Sequence, residues 1–260
     1  MKIPFLDLFS RNGADPGRER IDLLKVGEED PIFLEQFKAL RSKLEYKLDV
    51  LAWKVIGVTS SIAGEGKTLT CAKLAVSLAR TKRKAVLLVD ADIRKADLSR
   101  GFGMPVHPGL TEYLLGAATL PDVVRKTAVP GLYIISSGTS VPASADLLAG
   151  DGFRAFIEEI RKHSPLVLLD TPPVLPVADT MSMREQLDGL IFVYRAGSTP
   201  LAMFKQATEE IGEKKILGVV LNGVDPKSER YYGKYYGKYY GKSGATPEPP
   251  KTKEVTEVRE

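Results

Sequence analysis

Six short apolar runs alternate with helical stretches between residues 54 and 221, and this alternation constrains the fold more than any other feature. The runs cover 55–58, 85–89, 132–135, 166–169, 190–193 and 219–221. They are too short for helices, rich in Val and Ile, and bounded by turn residues. Helical patterns lie between them, near 67–81, 110–116, 143–162, 176–186 and 200–212. Buried strands alternating with helices predict an α/β fold, a doubly wound and mostly parallel sheet with helices on both faces. Right-handed crossovers follow from that arrangement. Ligands in such a sheet bind beyond the carboxyl ends of the strands. The chemistry is therefore expected just after Val58, Val89 and Leu169.

The alternation also sets the domain limits. Residues 1–29 read as a flexible leader, with an Arg/Asp/Gly-rich patch at 11–22. Asp30-Pro31 predicts a helix start, a capping side chain followed by Pro at the first helical position. Phe33, Phe37, Leu40, Leu44, Leu48 and Leu51 then mark one apolar helical face. The domain is expected over 30–226. Periodicity stops after Asp225-Pro226, and residues 227–260 read as a disordered tail, because they hold few large apolar groups outside a tyrosine cluster at 231–240.

The first strand runs into Ser60-Ser61-Ile62-Ala63-Gly64-Glu65-Gly66-Lys67-Thr68, and a helix follows. That is the form of a phosphate-binding loop in its proper context of strand, loop and helix. Gly64 and Gly66 let the backbone turn its N–H groups toward phosphate oxygens, and the helix start adds its positive dipole end. Ala63, Gly64, Glu65, Gly66, Lys67, Thr68 and Leu69 are the stretch expected to contact a nucleotide. Lys67 would reach the β- and γ-phosphates, and the Thr68 hydroxyl would ligate Mg²⁺. The competing reading is a plain glycine turn.

Two strand ends are acidic. One ends in Val89-Asp90-Ala91-Asp92-Ile93-Arg94, and another in Leu169-Asp170-Thr171-Pro172-Pro173. Mg²⁺ takes oxygen ligands, usually one or two carboxylates. Asp170 and Asp92 suit that role, and Asp90 suits a base that accepts the proton of an attacking hydroxyl. If the chain stays extended, Asp90 and Asp92 point the same way. Such residues otherwise only cap loops.

Composition narrows the alternatives. No apolar run approaches the roughly 20 residues of a membrane span, and the apolar start is broken by Pro4 and Asp7 with no small-residue cleavage site. A cytoplasmic location is expected. Cys71 as the only cysteine excludes an internal disulfide framework, and it is expected as buried packing. Two histidines, His107 and His163, leave little for a zinc site. The formal net charge is +4. Residues 227–243 carry five basic side chains against Glu229 alone, so the rest of the chain is balanced. A neutral body gives no general reason to expect nucleic-acid binding.

Taken together, the loop and the two acidic strand ends resemble the deviant P-loop ATPases of the ParA/MinD kind. More closely, they resemble the bacterial tyrosine kinases of capsule and exopolysaccharide export. ParA/MinD proteins carry a signature lysine five residues before the loop lysine, where this chain has Ile62. Ser-x-x-Gly-Glu-Gly-Lys-Thr from Ser61 is similar to the kinase form of the loop, and the segment from Gly109 to Gly116 is similar to one that the kinases carry. The kinases also end in a tyrosine cluster. The match covers about residues 31–240. Arg94-Lys95-Ala96 stands where the family often has Arg-Arg-Pro. Glu35, Lys38 and Arg41 stand where it has Glu-x-x-Arg-x-x-Arg, a motif implicated in ring assembly. Lys38 lacks the planar fork of arginine. The triplet reads either as an oligomer interface or as a solvated helix face with i,i+3 ion pairs.

The resemblance implies use of ATP and Mg²⁺, autophosphorylation of C-terminal tyrosines, and a regulatory part in exopolysaccharide or capsule synthesis or export. It also implies a homo-oligomer, of ring type in the family, a transmembrane adaptor of the polysaccharide co-polymerase type, and a tyrosine phosphatase as partners. The adaptor would hold the protein at the inner membrane. In related ATPases an Asn at the position of Asn222 reads the adenine edge, and a turn Asn is the alternative. The other function readings are a ParA/MinD-like ATPase switch and a nucleotide-binding scaffold without chemistry.

The tail supplies the expected acceptors. Tyr-Tyr-Gly-Lys occurs three times, giving Tyr231, Tyr232, Tyr235, Tyr236, Tyr239 and Tyr240, six of the ten tyrosines. A neutral phenol needs a nearby carboxylate to take its proton. Gly-spaced tyrosines on a flexible tail can enter a phosphate site in turn, and the lysines beside them favour an acidic site. Each phosphotyrosine adds about −1.5 to −2, so two or three would cancel the local charge. A stacking surface for single-stranded nucleic acid or glycan is the rival reading of interleaved Lys and Tyr.

Overall fold

The computed structural model describes residues 21–81 and 85–224. The expected tail and its tyrosines, and most of the expected leader, lie outside the described residues.

The expected sheet forms. Its strands are β1 (Val55–Ser60), β2 (Val86–Asp90), β3 (Val124–Lys126), β4 (Leu132–Ile135), β5 (Leu166–Asp170), β6 (Gly189–Arg195) and β7 (Ile216–Asn222). They lie in the order β3-β4-β2-β5-β1-β6-β7. All neighbouring pairs are parallel except β3 with β4. β1, β2 and β5 are buried along their whole length. Their side chains alternate between two cores, as a period of two requires. Ile56, Val58, Leu88 and Leu168 join one core, while Val55, Leu87, Val89 and Leu169 join the other. Burial on both faces explains why these strands read as unbroken apolar runs rather than as alternations.

Helices α1 (Pro31–Leu51) and α2 (Lys67–Ala79) cover the first face. Asp30 caps α1, accepting from the N–H groups of Ile32 and Phe33 at 2.9 and 3.1 Å, as Asp30-Pro31 predicts. Leu44 and Leu48 of its apolar face are buried, but Leu51 is exposed. Cys71 on α2 is fully buried. The second face is packed by α7 (Asp151–His163) and α9 (Leu201–Ile211), through Phe153, Phe156, Ile160, Ala207 and Ile211.

Several elements differ from expectation. The stretch 143–162 is two helices, α6 (Ser144–Ala149) and α7, because Gly150 between them is extended and serves as the start of α7. The stretch 176–186 shortens to α8 (Asp179–Met183) and a 3₁₀ turn, Arg184–Gln186. Short helices α3 (Asp97–Gly101), α4 (Leu110–Leu114) and α5 (Leu120–Val123) have four or five residues each, and in α3 and α5 that was too short for the apolar pattern to repeat. β3 escaped notice for the same reason and is the one antiparallel strand among the described residues. β7 begins three residues before its apolar run, at Ile216.

Residues 21–29 also differ from a free leader. Leu23 is buried, and its N–H donates to Gly101 O at 2.9 Å. Lys73, nearly buried on α2, donates to Leu24 O at 2.8 Å. These turns pack on α2 and α3: Leu23 joins the core, Ile21, Leu24 and Val26 lie half-buried against it, and Glu28 pairs with Lys73 and Arg80.

Candidate active site at the carboxyl ends of β1, β2 and β5

The loop after β1 is held by its own glutamate. Gly64 and Gly66 take φ of +88° and +92°, a region closed to most L-residues. At Gly66 a Cβ would also run into the Asn222 carboxamide. Glu65 is only 1% exposed. Its carboxylate accepts from the Ile62 N–H at 2.8 Å, the Thr199 hydroxyl at 2.7 Å and the Arg195 N–H at 3.3 Å. Arg195 Nη1 donates to Gly64 O at 2.8 Å, and Asn222 Nδ2 donates to Glu65 O at 2.8 Å. The loop is thereby latched to the ends of β6 and β7. The side chain of Glu65 faces inward, so only its backbone is left for a phosphate. Asn222 touches the loop itself in this structure.

α2 starts at Lys67, directly after Gly66. Lys67 Nζ lies 3.0 Å from Asp92 Oδ2, 3.3 Å from Asp170 Oδ1 and 3.2 Å from Thr68 Oγ1. Burial opposes the charge on Lys67, but Asp170 and Asp92 outweigh it and hold the ammonium protonated above the ordinary lysine value. The two acidic strand ends and the loop lysine therefore meet, as their placement on neighbouring strands requires. Ala63 and Leu69 flank the same turn, in the loop and on the first turn of α2.

Asp90 and Asp92 do not act as a matched pair. Asp90 and Asp170 are register partners on adjacent parallel strands. β2 ends at Asp90, and the chain turns so that Lys95 and Ala96 N–H groups bond to Asp92 O. Asp92 turns to Lys67, whereas Asp90 Oδ2 accepts from the Ser99 N–H at 2.9 Å and from the Ser99 hydroxyl. Burial, with Asp170 alongside, pushes Asp90 up to about 8 against the bonds from Ser99. Burial pushes Asp170 up to about 6, although Lys67 pulls the other way. Asp90 Oδ1 and Asp170 Oδ2 are buried without a hydrogen-bond partner.

The residues proposed for an oligomer contact are engaged within the chain. Lys38 Nζ pairs with Glu35 Oε2 at 3.1 Å on the exposed face of α1. Arg41 Nη1 donates to Ser77 O at 3.0 Å, toward α2. Sequence patterns did not single out Ser99, Thr199, Arg195 or Asp179. Asp179 is fully buried and pairs with Arg94 at 3.1 Å, tying the turn after β2 to α8. Only Arg94 carried a signal, from its place in Asp-x-Asp-x-Arg.

Comparison with known proteins adds a consistent set of likenesses. An AAA-domain family model matches residues 53–197. Tyrosine-protein kinase YwqD of Bacillus subtilis is 31% identical over 218 residues, 83% of this chain and 92% of that protein. Tyrosine-protein kinase ptk of Acinetobacter johnsonii is 30% identical over 216 residues, 82% of this chain. The chain spans only 29% of the length of that second relative. The kinase domain of the Escherichia coli tyrosine kinase ETK superposes with a TM-score of 0.74 at 27% identity, covering 83% of this chain and 86% of that one.

Proposed function

The chain belongs to the bacterial tyrosine-protein kinases, and from that premise we propose that it is an ATP-dependent autokinase acting on its own C-terminal tyrosines. The observation that carries this reading is the convergence of Lys67, Asp92 and Asp170 within 3.3 Å beside a glycine loop, with Asp90 adjoining. Backbone N–H groups from Ala63 to Leu69, at the start of α2, suit phosphate oxygens. Lys67 leaves its two carboxylates to reach the β- and γ-phosphates.

The donor set fits Mg²⁺. Carboxylates and a hydroxyl are the hard oxygen ligands that this ion takes, and Asp170 already presents a buried oxygen with no hydrogen-bond partner. Asp170, Asp92 and Thr68 would hold the ion, which when bound offsets charge on the phosphates. Asp90, in its ionised form, serves as base. The phenolic O–H bond breaks and its proton passes to Asp90 Oδ1. The phenolate oxygen bonds to the γ-phosphorus, whose bond to the bridging oxygen breaks as ADP leaves. Acceptors are Tyr231, Tyr232, Tyr235, Tyr236, Tyr239 and Tyr240. Asn222, at the end of β7, would turn from Glu65 O to the base of the nucleotide.

The same reading places the protein in exopolysaccharide or capsule synthesis or export, as a homo-oligomer with Glu35, Lys38 and Arg41 at the contact. Its partners would be a transmembrane adaptor of the co-polymerase type and a tyrosine phosphatase, and it would sit on the cytoplasmic side of the inner membrane. No helix among the described residues is long and apolar enough to cross a membrane. The test is mass spectrometry after incubation with Mg²⁺ and ATP. Phosphate on residues 231–240 is expected. Phosphate released only to water would instead point to an ATPase switch.

A further inference from the structure

Asp90 is held on one side only. Both donors of Ser99 fall on Oδ2: its N–H at 2.9 Å and its hydroxyl. The other oxygen, Oδ1, is buried with no partner. A carboxylate with one oxygen fastened by two donors cannot rotate freely about its last bond, so the free oxygen keeps a single direction. We propose that Ser99 is the positioning residue of the phosphoryl-transfer reaction. It fastens Asp90 Oδ2 and presents Oδ1 to the incoming phenol.

Ser99 is itself held from outside the loop it belongs to. Its Oγ accepts from the Ser137 N–H at 3.2 Å, beyond the end of β4. Having accepted there, the hydroxyl has its one hydrogen for Asp90. Ser137 O in turn accepts from the Thr111 N–H at 3.0 Å and the Thr111 hydroxyl at 3.1 Å. Glu112 closes the same turn, accepting from the N–H of Gly109 at 2.7 Å and from the N–H and hydroxyl of Thr139 at 3.0 and 2.6 Å. The segment from Gly109 to Gly116 thereby gains a physical role. It braces Ser137, which orients Ser99, which orients Asp90. Ser99, Ser137 and Thr111 are all fully buried, so water does not compete for these bonds.

The inference rests on the kinase reading, and the experiment separates the two. Three proteins are compared as full chains: the unaltered protein, Ser99→Ala and Ser99→Thr. For each, the rate of γ-phosphate transfer to tyrosine at saturating ATP is measured beside the Kd for Mg·ADP. Misplacing a reacting group by about 1 Å costs on the order of 100-fold in rate. Ser99→Ala is expected to lose about 10- to 100-fold in transfer rate by that argument, with Kd changed less than about 3-fold. Ser99→Thr, which keeps a hydroxyl, is expected to recover most of the rate. The inference is overturned if Ser99→Ala transfers at the unaltered rate, if rate and nucleotide affinity fall together, or if Ser99→Thr is no better than Ser99→Ala. If the unaltered protein labels no tyrosine, the kinase reading fails and this inference falls with it.

Discussion

Replacing Lys67 by Met removes the one cation among the described residues that touches both Asp92 and Asp170. The side chains of Lys67, Asp92 and Asp170 are 11%, 4% and 1% exposed, so the two carboxylates would lose their counter-charge in a nearly dry site. Removing one partner of a buried pair costs about 3–5 kcal/mol. Asp170 already sits up at about 6, so proton uptake relieves part of that cost, and about 3 kcal/mol is a reasonable figure. For a folded body of this size, about 2–4 °C is lost per kcal/mol, which places the midpoint about 6–12 °C lower. The assay is thermal unfolding by circular dichroism near neutral pH without nucleotide. Mg²⁺ alone should raise the variant's midpoint more than the unaltered protein's, because the ammonium no longer competes for the two carboxylates. Tyrosine labelling should be lost as well. A midpoint within about 2 °C of the unaltered protein, with no added response to Mg²⁺, would refute the reasoning that Lys67 neutralises this pair.

Other changes give smaller and separable effects. Glu65→Ala leaves the Ile62 N–H and the Thr199 hydroxyl without their acceptor. An unsatisfied buried donor costs about 1–3 kcal/mol, so the thermal unfolding midpoint should fall by about 2–12 °C. Glu112 gives a pH signature. Burial opposes its charge, but bonds from Thr139 and Gly109 outweigh this and hold the carboxyl down at about 2. A depressed carboxyl adds stability above its unfolded value of 4.5, and that stability is lost as pH falls through about 2. Denaturant unfolding of Glu112→Gln should therefore show a flatter acid limb between about pH 4.5 and 2 than the unaltered protein. Phosphorylation of the tail should also reduce the mass of any assembly seen by light scattering, since each phosphate adds about −1.5 to −2 to a basic segment.

The parts of the fold that rest on long, two-sided burial were legible from sequence. β1, β2, β4 and β5 read true because each is an apolar run with turn residues at both ends. The loop and its lysine were legible because glycine and lysine in that order have few other uses between a strand and a helix. What sequence concealed was the partnering. An extended chain would point Asp90 and Asp92 the same way, yet the turn after β2 sends one to Ser99 and the other to Lys67. Glu65 looked like a loop residue facing the ligand, but its partners, Arg195 and Thr199, lie about 130 residues further along the chain. No local pattern can announce a contact of that separation. Residues 21–29 failed for a related reason. Their apolar side chains, Ile21, Leu23, Leu24 and Val26, find their packing, and Leu24 its lysine donor, on elements far along the chain.

The central claim is that the γ-phosphoryl group passes from ATP to a phenol of this chain. Labelled γ-phosphate, followed with the full chain and Mg²⁺, tests it most directly. Label on tyrosines within 231–240, lost in Lys67→Met, is the predicted result. Label found only as free phosphate, or retained at full level in Lys67→Met, would contradict it.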